Sequence, residues 1–181
     1  MNCKKAICIY GASREDIPQT YKDAAYLTGK LIAASGATLV SGGGRNGLMR
    51  CAIDGATDNY GETIGVLPEF MVAREWQHPR LTQMIVKPDM HSRKETMASL
   101  STGIIALPGG VGTLDELMEI ITWRQLKLYT GPVVILNTNG FYDPLLAMLA
   151  HIQNEGFMRN HDINLWKVAS TPEEAVEFAL K

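Results

Sequence analysis

Short apolar runs alternate with longer amphipathic stretches along the whole chain. The short runs are rich in Ile, Val, Leu and Ala, as is typical of buried strands, and the stretches between them have apolar residues at helical spacing. The pattern predicts strands over 5–10, 38–40, 63–67, 84–86, 103–107, 133–137 and 168–169, and helices over 19–35, 48–59, 91–101, 114–128, 142–155 and 172–180.

This alternation predicts the class of the fold. Strands that are apolar throughout suit a sheet whose two faces are both buried, and parallel strands need helical connections between them. We therefore expect an α/β fold of three layers, with a mostly parallel sheet covered by helices on both faces. At 181 residues, the chain is expected to form a single domain over 1–181. Residues 68–83 fit neither pattern, and we expect a loop that covers a site there.

Glycine-rich loops follow three of the predicted strands, at 11–13, 41–47 and 108–113. The carboxyl ends of parallel strands lie at one edge of a sheet, so we expect these loops to converge. Loop 108–113 reads PGGVGT and precedes a helix. Its glycines let backbone N–H groups approach an anion, and the helix N-terminus adds partial positive charge. The loop therefore predicts a phosphate-binding cradle. Loop 41–47 fits G-x-G-x-x-G, which alone indicates either a ligand loop or a tight turn.

Two charged residues near these loops are candidates for chemistry. Glu116 follows the cradle, and Thr113 and Glu116 have the spacing of a helix capping box, so Glu116 is either a cap or a free carboxylate facing a ligand. Arg93 lies near the start of a predicted helix, where a cation opposes the helix dipole and calls for an anionic partner. That partner is Glu95 or solvent on one interpretation, and a ligand phosphate or an active-site carboxylate on the other.

Composition excludes several classes of protein. The net charge of −2, with mixed signs, indicates neither a nucleic-acid partner nor an anionic membrane surface. The sequence contains no apolar run near the roughly 20 residues of a membrane helix and no signal peptide, so we expect a cytoplasmic protein. The three cysteines have no CxxC spacing and are expected to be free thiols, and the four histidines have no metal-ligand spacing: Cys3, Cys8, Cys51, His78, His91, His151 and His161.

Two motifs together resemble the paired signature of the LONELY GUY family. They are Pro108-Gly109-Gly110-x-Gly112-Thr113-x-x-Glu116 and Met90-His91-x-Arg93-Lys94, and the similarity extends through 41–49 and 121–123. The family comprises cytokinin riboside 5′-monophosphate phosphoribohydrolases, many of them mislabelled as lysine decarboxylases. The resemblance implies a Rossmann-like fold and hydrolysis of the N-glycosidic bond of adenine-type nucleoside 5′-monophosphates. It further implies that no cofactor is needed, and a homodimer or higher oligomer with its sites near the subunit interface.

The resemblance also implies roles for individual residues. Arg93 and Glu116 match the catalytic pair, and Glu75 is a candidate proton donor to the departing base. The helix that carries Met90, Met97 and Leu100 is expected at the dimer interface. Residues expected to contact the substrate are Gly43, Gly44, Glu75, Arg93, Lys94, Gly109, Gly110, Val111, Gly112, Thr113, Leu114, Asp115, Glu116 and Thr122. The first loop, Gly11-Ala12-Ser13, departs from the Gly-Ser-Ser-x-Gly pattern that is frequent in the family.

Two other functions are compatible with parts of this pattern. A non-catalytic nucleotide carrier, or a carrier of the molybdenum cofactor, would use the same cradle on the same fold. Such a carrier has no need of a poised carboxylate, so Arg93 and Glu116 together favour an enzyme. A pyridoxal-phosphate decarboxylase would need a Schiff-base lysine, for which Lys94 is the lysine nearest to a motif.

Overall fold

The seven strands form one parallel sheet in the order β4-β3-β2-β1-β5-β6-β7. The structure is a computed structural model and describes residues 4–158 and 164–181. The strands are β1 (Ala6–Tyr10), β2 (Thr38–Ser41), β3 (Thr63–Pro68), β4 (Gln83–Lys87), β5 (Gly103–Ala106), β6 (Val133–Leu136) and β7 (Lys167–Ala169).

Helices cover both faces of this sheet. Alternate residues of β1 point to opposite faces, so Ile7 and Ile9 belong to one apolar core while Cys8 and Tyr10 belong to the other. This arrangement confirms the predicted three-layer α/β fold. The helices are α1 (Gln19–Ala34), α2 (Gly47–Thr57), α3 (Glu69–Val72), α4 (Met90–Ser99), α5 (Val111–Gln125), α6 (Asp143–Asn154) and α7 (Pro172–Ala179), with a 3₁₀ turn at Thr138–Gly140.

The strand order places a crevice above the carboxyl ends of β1 and β5. The chain moves outward from β1 through β2, β3 and β4, and then returns to the other side of β1 as β5. Ligands of open parallel sheets bind at such a switch point. The three glycine loops meet here, because Ala12 N–H donates to Pro108 O at 3.1 Å and Leu48 N–H donates to Ala12 O at 2.8 Å. The predicted convergence of the loops is confirmed.

The start of α5 differs from the prediction. The helix begins at Val111 with Gly110 as its N-cap, and not at residue 114. Thr113 therefore lies within the first turn, Glu116 lies beyond it, and no side chain caps the helix. The capping-box interpretation of Thr113 and Glu116 is wrong, because the chain turns into the helix at Gly110, before the threonine. Two further elements lacked a clear pattern, the one-turn helix α3 and the 3₁₀ turn.

The sequence analysis expected free thiols, no metal site and no membrane helix. Cys8 is buried and Cys51 is half-buried, and both are free thiols as expected, whereas Cys3 and His161 lie outside the described residues. Over residues 4–158 and 164–181, no group of three or more His, Cys, Asp or Glu side chains is arranged to hold a metal ion. In that same part of the chain, no helix is long and apolar enough to cross a bilayer.

Candidate active site

A cavity of about 530 Å³ lies in the crevice above β1 and β5. The loop after β1 forms one wall, and the loop before α5 with the first turns of that helix forms another. A third wall, on the side of β2, β3 and β4, consists of three methionines from separate helices: Met49, Met71 and Met90. The cavity therefore joins a polar cradle to a flexible apolar wall.

The N-terminus of α5 supplies the cradle. Gly109, Gly110, Gly112 and Thr113 line the cavity. The first N–H groups of a helix have no carbonyl to bind within it, and here the intrahelical ladder begins with Leu114 N–H donating to Gly110 O at 3.0 Å. The amides before Leu114 are thus available to an anion, and the helix dipole favours negative charge there.

A steric requirement explains the glycine next to the cradle. A Cβ atom at Gly109 would collide with the side chain of Thr113, including its hydroxyl. In contrast, a Cβ atom at Gly110 or Gly112 would meet nothing within 4 Å, so these two positions are open toward the cavity. Thr113 is buried yet lines the cavity, which fixes its hydroxyl beside the free amides.

The two charged candidates form a buried ion pair at the floor of the cavity. Arg93 Nη1 donates to Glu116 Oε1 at 2.9 Å. The side chain of Arg93 is 5% exposed and that of Glu116 is 11% exposed. Arg93 therefore has the anionic partner that its place at the start of α4 requires, and that partner is the carboxylate and not Glu95 or solvent.

The surrounding backbone holds the guanidinium in place. Arg93 Nε donates to Val66 O of β3 at 3.0 Å. Gly42 lies against the Nη2 end of the guanidinium, and a Cβ atom at position 42 would collide with Arg93 Nη2. Gly42 is thus needed to admit the arginine, a role that the sequence analysis missed, since the glycine loop indicated only a ligand loop or a tight turn.

Burial and the ion pair shift the pKa of Glu116 in opposite directions. Desolvation raises the pKa of the Glu116 carboxyl, Arg93 draws it back down, and the net effect is a pKa above the ordinary value of 4.5. Arg93 thus favours the ionised form of a carboxyl group that is shielded from bulk water. Such a charge interacts strongly with positive charge that develops nearby.

Lys94 occupies a second ion pair beside the first. Its Nζ lies 3.0 Å from Asp115 Oδ2 and 3.1 Å from Glu119 Oε2. Burial acts to lower the pKa of Lys94, but the two carboxylates outweigh it and raise that pKa above 10.5. Lys94 was expected to contact substrate; in this structure it joins α4 to α5 instead. Asp115 lines the cavity as expected.

Five other predicted contacts lie apart from the main cavity. Glu75 is exposed, and Thr122 is exposed and donates its hydroxyl to Met118 O at 2.8 Å. The Leu114 side chain packs into the core, and Val111 exposes its side chain to solvent. Gly43 is buried, and its carbonyl accepts from His78 N–H at 2.8 Å. The side chains at these positions therefore have no support as substrate contacts from the geometry of one chain, whereas the backbone amide of Val111 belongs to the cradle.

Other residues of the cavity were not predicted. Tyr21 and Phe141 line its far end and contact each other edge to face, with ring centroids 5.9 Å apart. Ser13 lines the cavity although the first loop departs from the family pattern. Gly44, unlike these residues, was a predicted substrate contact, and it lines a smaller neighbouring cavity of about 250 Å³. These residues come from separate elements, so no local sequence pattern brings them together.

One part of the predicted dimer interface is wrong. Met97 is fully buried in the core of its own chain, because it lies on the face of α4 that packs against the sheet. Met90 is 37% exposed and lines the cavity instead. Leu100 is half-buried and packs against the same core as Met97.

Comparison with known proteins identifies the family. Residues 49–178 match the family model described as "Possible lysine decarboxylase". A probable cytokinin riboside 5′-monophosphate phosphoribohydrolase of Oryza sativa subsp. japonica is 38% identical over 173 residues, which are 96% of this chain and 71% of the relative. A cytokinin riboside 5′-monophosphate phosphoribohydrolase of Rhodococcoides fascians is 41% identical over 155 residues, 85% of this chain and 78% of the relative. The chain belongs to the LONELY GUY family.

Solved structures share the fold. The molybdenum cofactor binding protein of Rippkaea orientalis superposes with a TM-score of 0.76 at 28% identity, covering 98% of this chain and 96% of that protein. The molybdenum cofactor carrier protein of Chlamydomonas reinhardtii gives 0.73 at 26% identity, with coverage of 97% and 95%. The LONELY GUY fold is thus shared with proteins whose names describe carriage of a cofactor.

Membership of the LONELY GUY family accords with the geometry of the site. The two motifs that carried the resemblance lie on α4 and at the β5–α5 turn. They are far apart in sequence, yet each contributes one member of the buried Arg93–Glu116 pair. The family signature in this chain therefore corresponds to a single structural unit, the ion pair beside the cradle.

Proposed function

We propose that this chain, as a single domain, hydrolyses the N-glycosidic bond of cytokinin riboside 5′-monophosphates, AMP or both, releasing the free base and ribose 5-phosphate. The observation that carries the proposal is the buried Arg93–Glu116 pair beside an anion-binding helix N-terminus. Support also comes from relatives at 36–41% identity that bear the name of this activity.

The cradle positions the substrate. We assign the 5′-phosphate to the free amides at the start of α5 and to the Thr113 hydroxyl, with Gly109–Thr113 as the binding segment. The phosphate is remote from the bond that breaks, so its binding energy can hold the ribose in place during the reaction. In this arrangement C1′ of the ribose lies near the Glu116 carboxylate.

Glu116 and Arg93 perform the chemistry at C1′. Departure of the base builds oxocarbenium character on the ribose, as in other glycosidic cleavages. The Glu116 carboxylate stabilises that positive charge, binds ribose hydroxyls and orients the attacking water. Arg93 holds the carboxylate and favours its ionised form, against the burial that raises its pKa. Proton donation to the base by Glu75 stays a prediction, since Glu75 is exposed in one chain.

A carrier of a nucleotide or of the molybdenum cofactor is the second candidate, favoured by the similarity to carrier structures at 26–28% identity. The Arg93–Glu116 pair favours hydrolysis, because a protein that only binds its cargo has no need of a carboxylate held beside the cradle. A lysine decarboxylase is disfavoured, because a Schiff base forms from a neutral amine and the Lys94 ammonium is held by Asp115 and Glu119.

The cradle predicts a strong preference for phosphorylated substrate. Removing the 5′-phosphate removes its contacts with the α5 amides and Thr113, so we expect kcat/KM for adenosine to be at least about 100-fold below that for AMP. Initial rates of adenine release from the two compounds, at equal enzyme concentration, measure this ratio. Equal turnover of adenosine and AMP would contradict the assignment of the cradle to phosphate.

We further propose a cytoplasmic homodimer or higher oligomer that binds neither nucleic acid nor membrane. Support comes from apolar side chains exposed on the edge strand β4, at Met84 and Val86. We expect light scattering at micromolar concentration to give twice the chain mass of 19.9 kDa, or a larger multiple. A monomer mass would overturn this proposal.

A further inference from the structure

A second cavity of about 250 Å³ lies next to the main one. The two cavities share Ser13, Met49, Met71 and Arg93, so the guanidinium that binds Glu116 stands at the boundary between them. Much of the wall of the second cavity is apolar, with Trp76 as its aromatic member. A group that extends from the main cavity past Arg93 would enter this space.

The second cavity differs from the cradle in its backbone donors. Three amides of the neighbouring glycine loop and the first turn of α2 are already used. Gly43 N–H donates to Ser41 Oγ at 3.1 Å, Arg45 N–H donates to Trp76 O at 2.9 Å, and Leu48 N–H of α2 donates to Ala12 O at 2.8 Å. The start of α5, in contrast, has free amides. A phosphate is therefore better satisfied at α5, and the second cavity suits a less charged, flat group.

Trp76 is held in position from several sides. Its carbonyl accepts from Arg45 N–H, and the guanidinium of Arg74 packs over the indole ring at 5.2 Å and over Phe70 at 5.8 Å. An antiparallel β-bridge between Gly44 and Gln77 also joins the segment that carries Trp76 to the glycine loop. The indole is 42% exposed, so part of this fixed aromatic surface is free for contact.

The segment after Trp76 is anchored to α2. The buried side chain of His78 lies 3.1 Å from Asp54 Oδ1, and its Nδ1 accepts from Arg80 N–H at 3.1 Å. The Arg80 guanidinium then pairs with Asp54 and Asp58 of the same helical region. The segment is thus fixed before any ligand arrives, which lowers the entropic cost of binding against Trp76.

Strand order gives the direction in which a nucleotide must lie. The cradle follows β5, whereas Arg93 is bound to Val66 of β3, on the side of β1 and β2. A ribose that reaches from the cradle to the Arg93–Glu116 pair therefore extends toward β2 and β3, where the second cavity and Trp76 lie. The aromatic pair Tyr21 and Phe141 lies at the opposite end, since Phe141 follows β6.

We propose that the second cavity receives the purine base of the substrate and that Trp76 is a specificity-determining residue that stacks on it. The proposal rests on the proposed function for the identity of the ligand. Indole presents a polarisable face that stacks on any purine, and alanine substitution of such a contact typically weakens binding about 10- to 100-fold.

The test measures binding of AMP and of ribose 5-phosphate, which lacks the base. Both affinities are determined by calorimetry in the Glu116→Gln background, which keeps the nucleotide intact. We expect Trp76→Ala to weaken AMP binding about 10- to 100-fold and to leave ribose 5-phosphate binding unchanged. Trp76→Phe should restore most of the AMP affinity, because a ring still stacks. Phe157→Ala, at an 84% exposed remote position, is the neutral control.

Three results would overturn the proposal. Unchanged AMP affinity in Trp76→Ala would place the base elsewhere. Equal loss of AMP and ribose 5-phosphate affinity would give Trp76 a structural role only. A larger loss of AMP affinity in Phe141→Ala than in Trp76→Ala would place the base at the opposite end of the main cavity. Because the experiment measures binding and not hydrolysis, it can disprove the position of the base without disproving the hydrolytic function.

Discussion

Glu116→Gln is expected to lower kcat for hydrolysis of AMP or its N6-prenylated form by about 100- to 1,000-fold. The amide keeps the shape of the side chain and an oxygen that accepts from Arg93, but it lacks the negative charge that stabilises C1′ in the transition state. We expect the free energy of unfolding to fall by roughly 1–3 kcal/mol, as for loss of a charged hydrogen-bond partner. Steady-state kinetics and urea denaturation measure the two effects separately.

The pH dependence of the wild type is a second readout of the same carboxylate. The ionised form is the active one, so kcat/KM should be retained above the pKa of Glu116 and lost as pH falls through it. Because burial raises that pKa above 4.5, the decline should occur at higher pH than for an exposed glutamate. Residual activity of Glu116→Gln should lack this decline. Near wild-type rates in Glu116→Gln would contradict the mechanism.

Arg93→Ala is expected to affect both stability and activity. It leaves Glu116 buried without its cation, and breaking a buried ion pair from one side typically costs about 3–5 kcal/mol of unfolding free energy. The pKa of Glu116 should then rise further, and turnover should fall at least about 100-fold because the carboxylate loses both charge and orientation. Urea denaturation and initial rates measure these losses.

A double variant separates the charge penalty from the loss of packing. Arg93→Met with Glu116→Leu removes both charges, so the free energy of unfolding should recover to within about 1–2 kcal/mol of the wild type while activity stays absent. Arg50→Ala is the matched control, since Arg50 forms exposed pairs with Asp54 and Glu15, whose loss should cost under about 1 kcal/mol. A double variant less stable than Arg93→Ala would contradict this account.

Much of the fold was predictable because its signals are local. Strands such as β1 and β5 are short apolar runs, and α1 and α2 have helical spacing next to glycines. The cradle was predictable for the same reason, since Gly109, Gly110 and Gly112 lie between a buried strand and a helix. The carboxyl-end rule for parallel sheets then sufficed to bring the loops together.

Predictions that depended on competing local signals were less accurate. Thr113 and Glu116 have the spacing of a capping box, but the helix had already begun at Val111, so the carboxylate is free to bind Arg93. The substrate contacts that the resemblance implied for Lys94 and Thr122 stay predictions, since in this chain Lys94 is paired with carboxylates and Thr122 bonds to its own helix.

Residues that act through the tertiary fold were beyond sequence reasoning. Gly42 admits the guanidinium of Arg93 because α4 packs on β3 and β4 and brings that side chain to the loop after β2, which no local pattern reveals. The contact between Tyr21 and Phe141, and the anchoring of His78 to Asp54, likewise join segments that are distant in sequence. Such contacts follow from strand order, and strand order was not predicted.

The most direct test of the central claim is product analysis after incubation with N6-isopentenyl-AMP and with AMP. The account predicts that the wild type releases free base and ribose 5-phosphate in equal amounts from at least one of them, and that Glu116→Gln binds the same nucleotide without releasing either product. Chromatography that separates the free base, ribose 5-phosphate and intact nucleotide measures the amount of each. Tight binding by the wild type with full recovery of intact nucleotide would contradict the account and support a carrier.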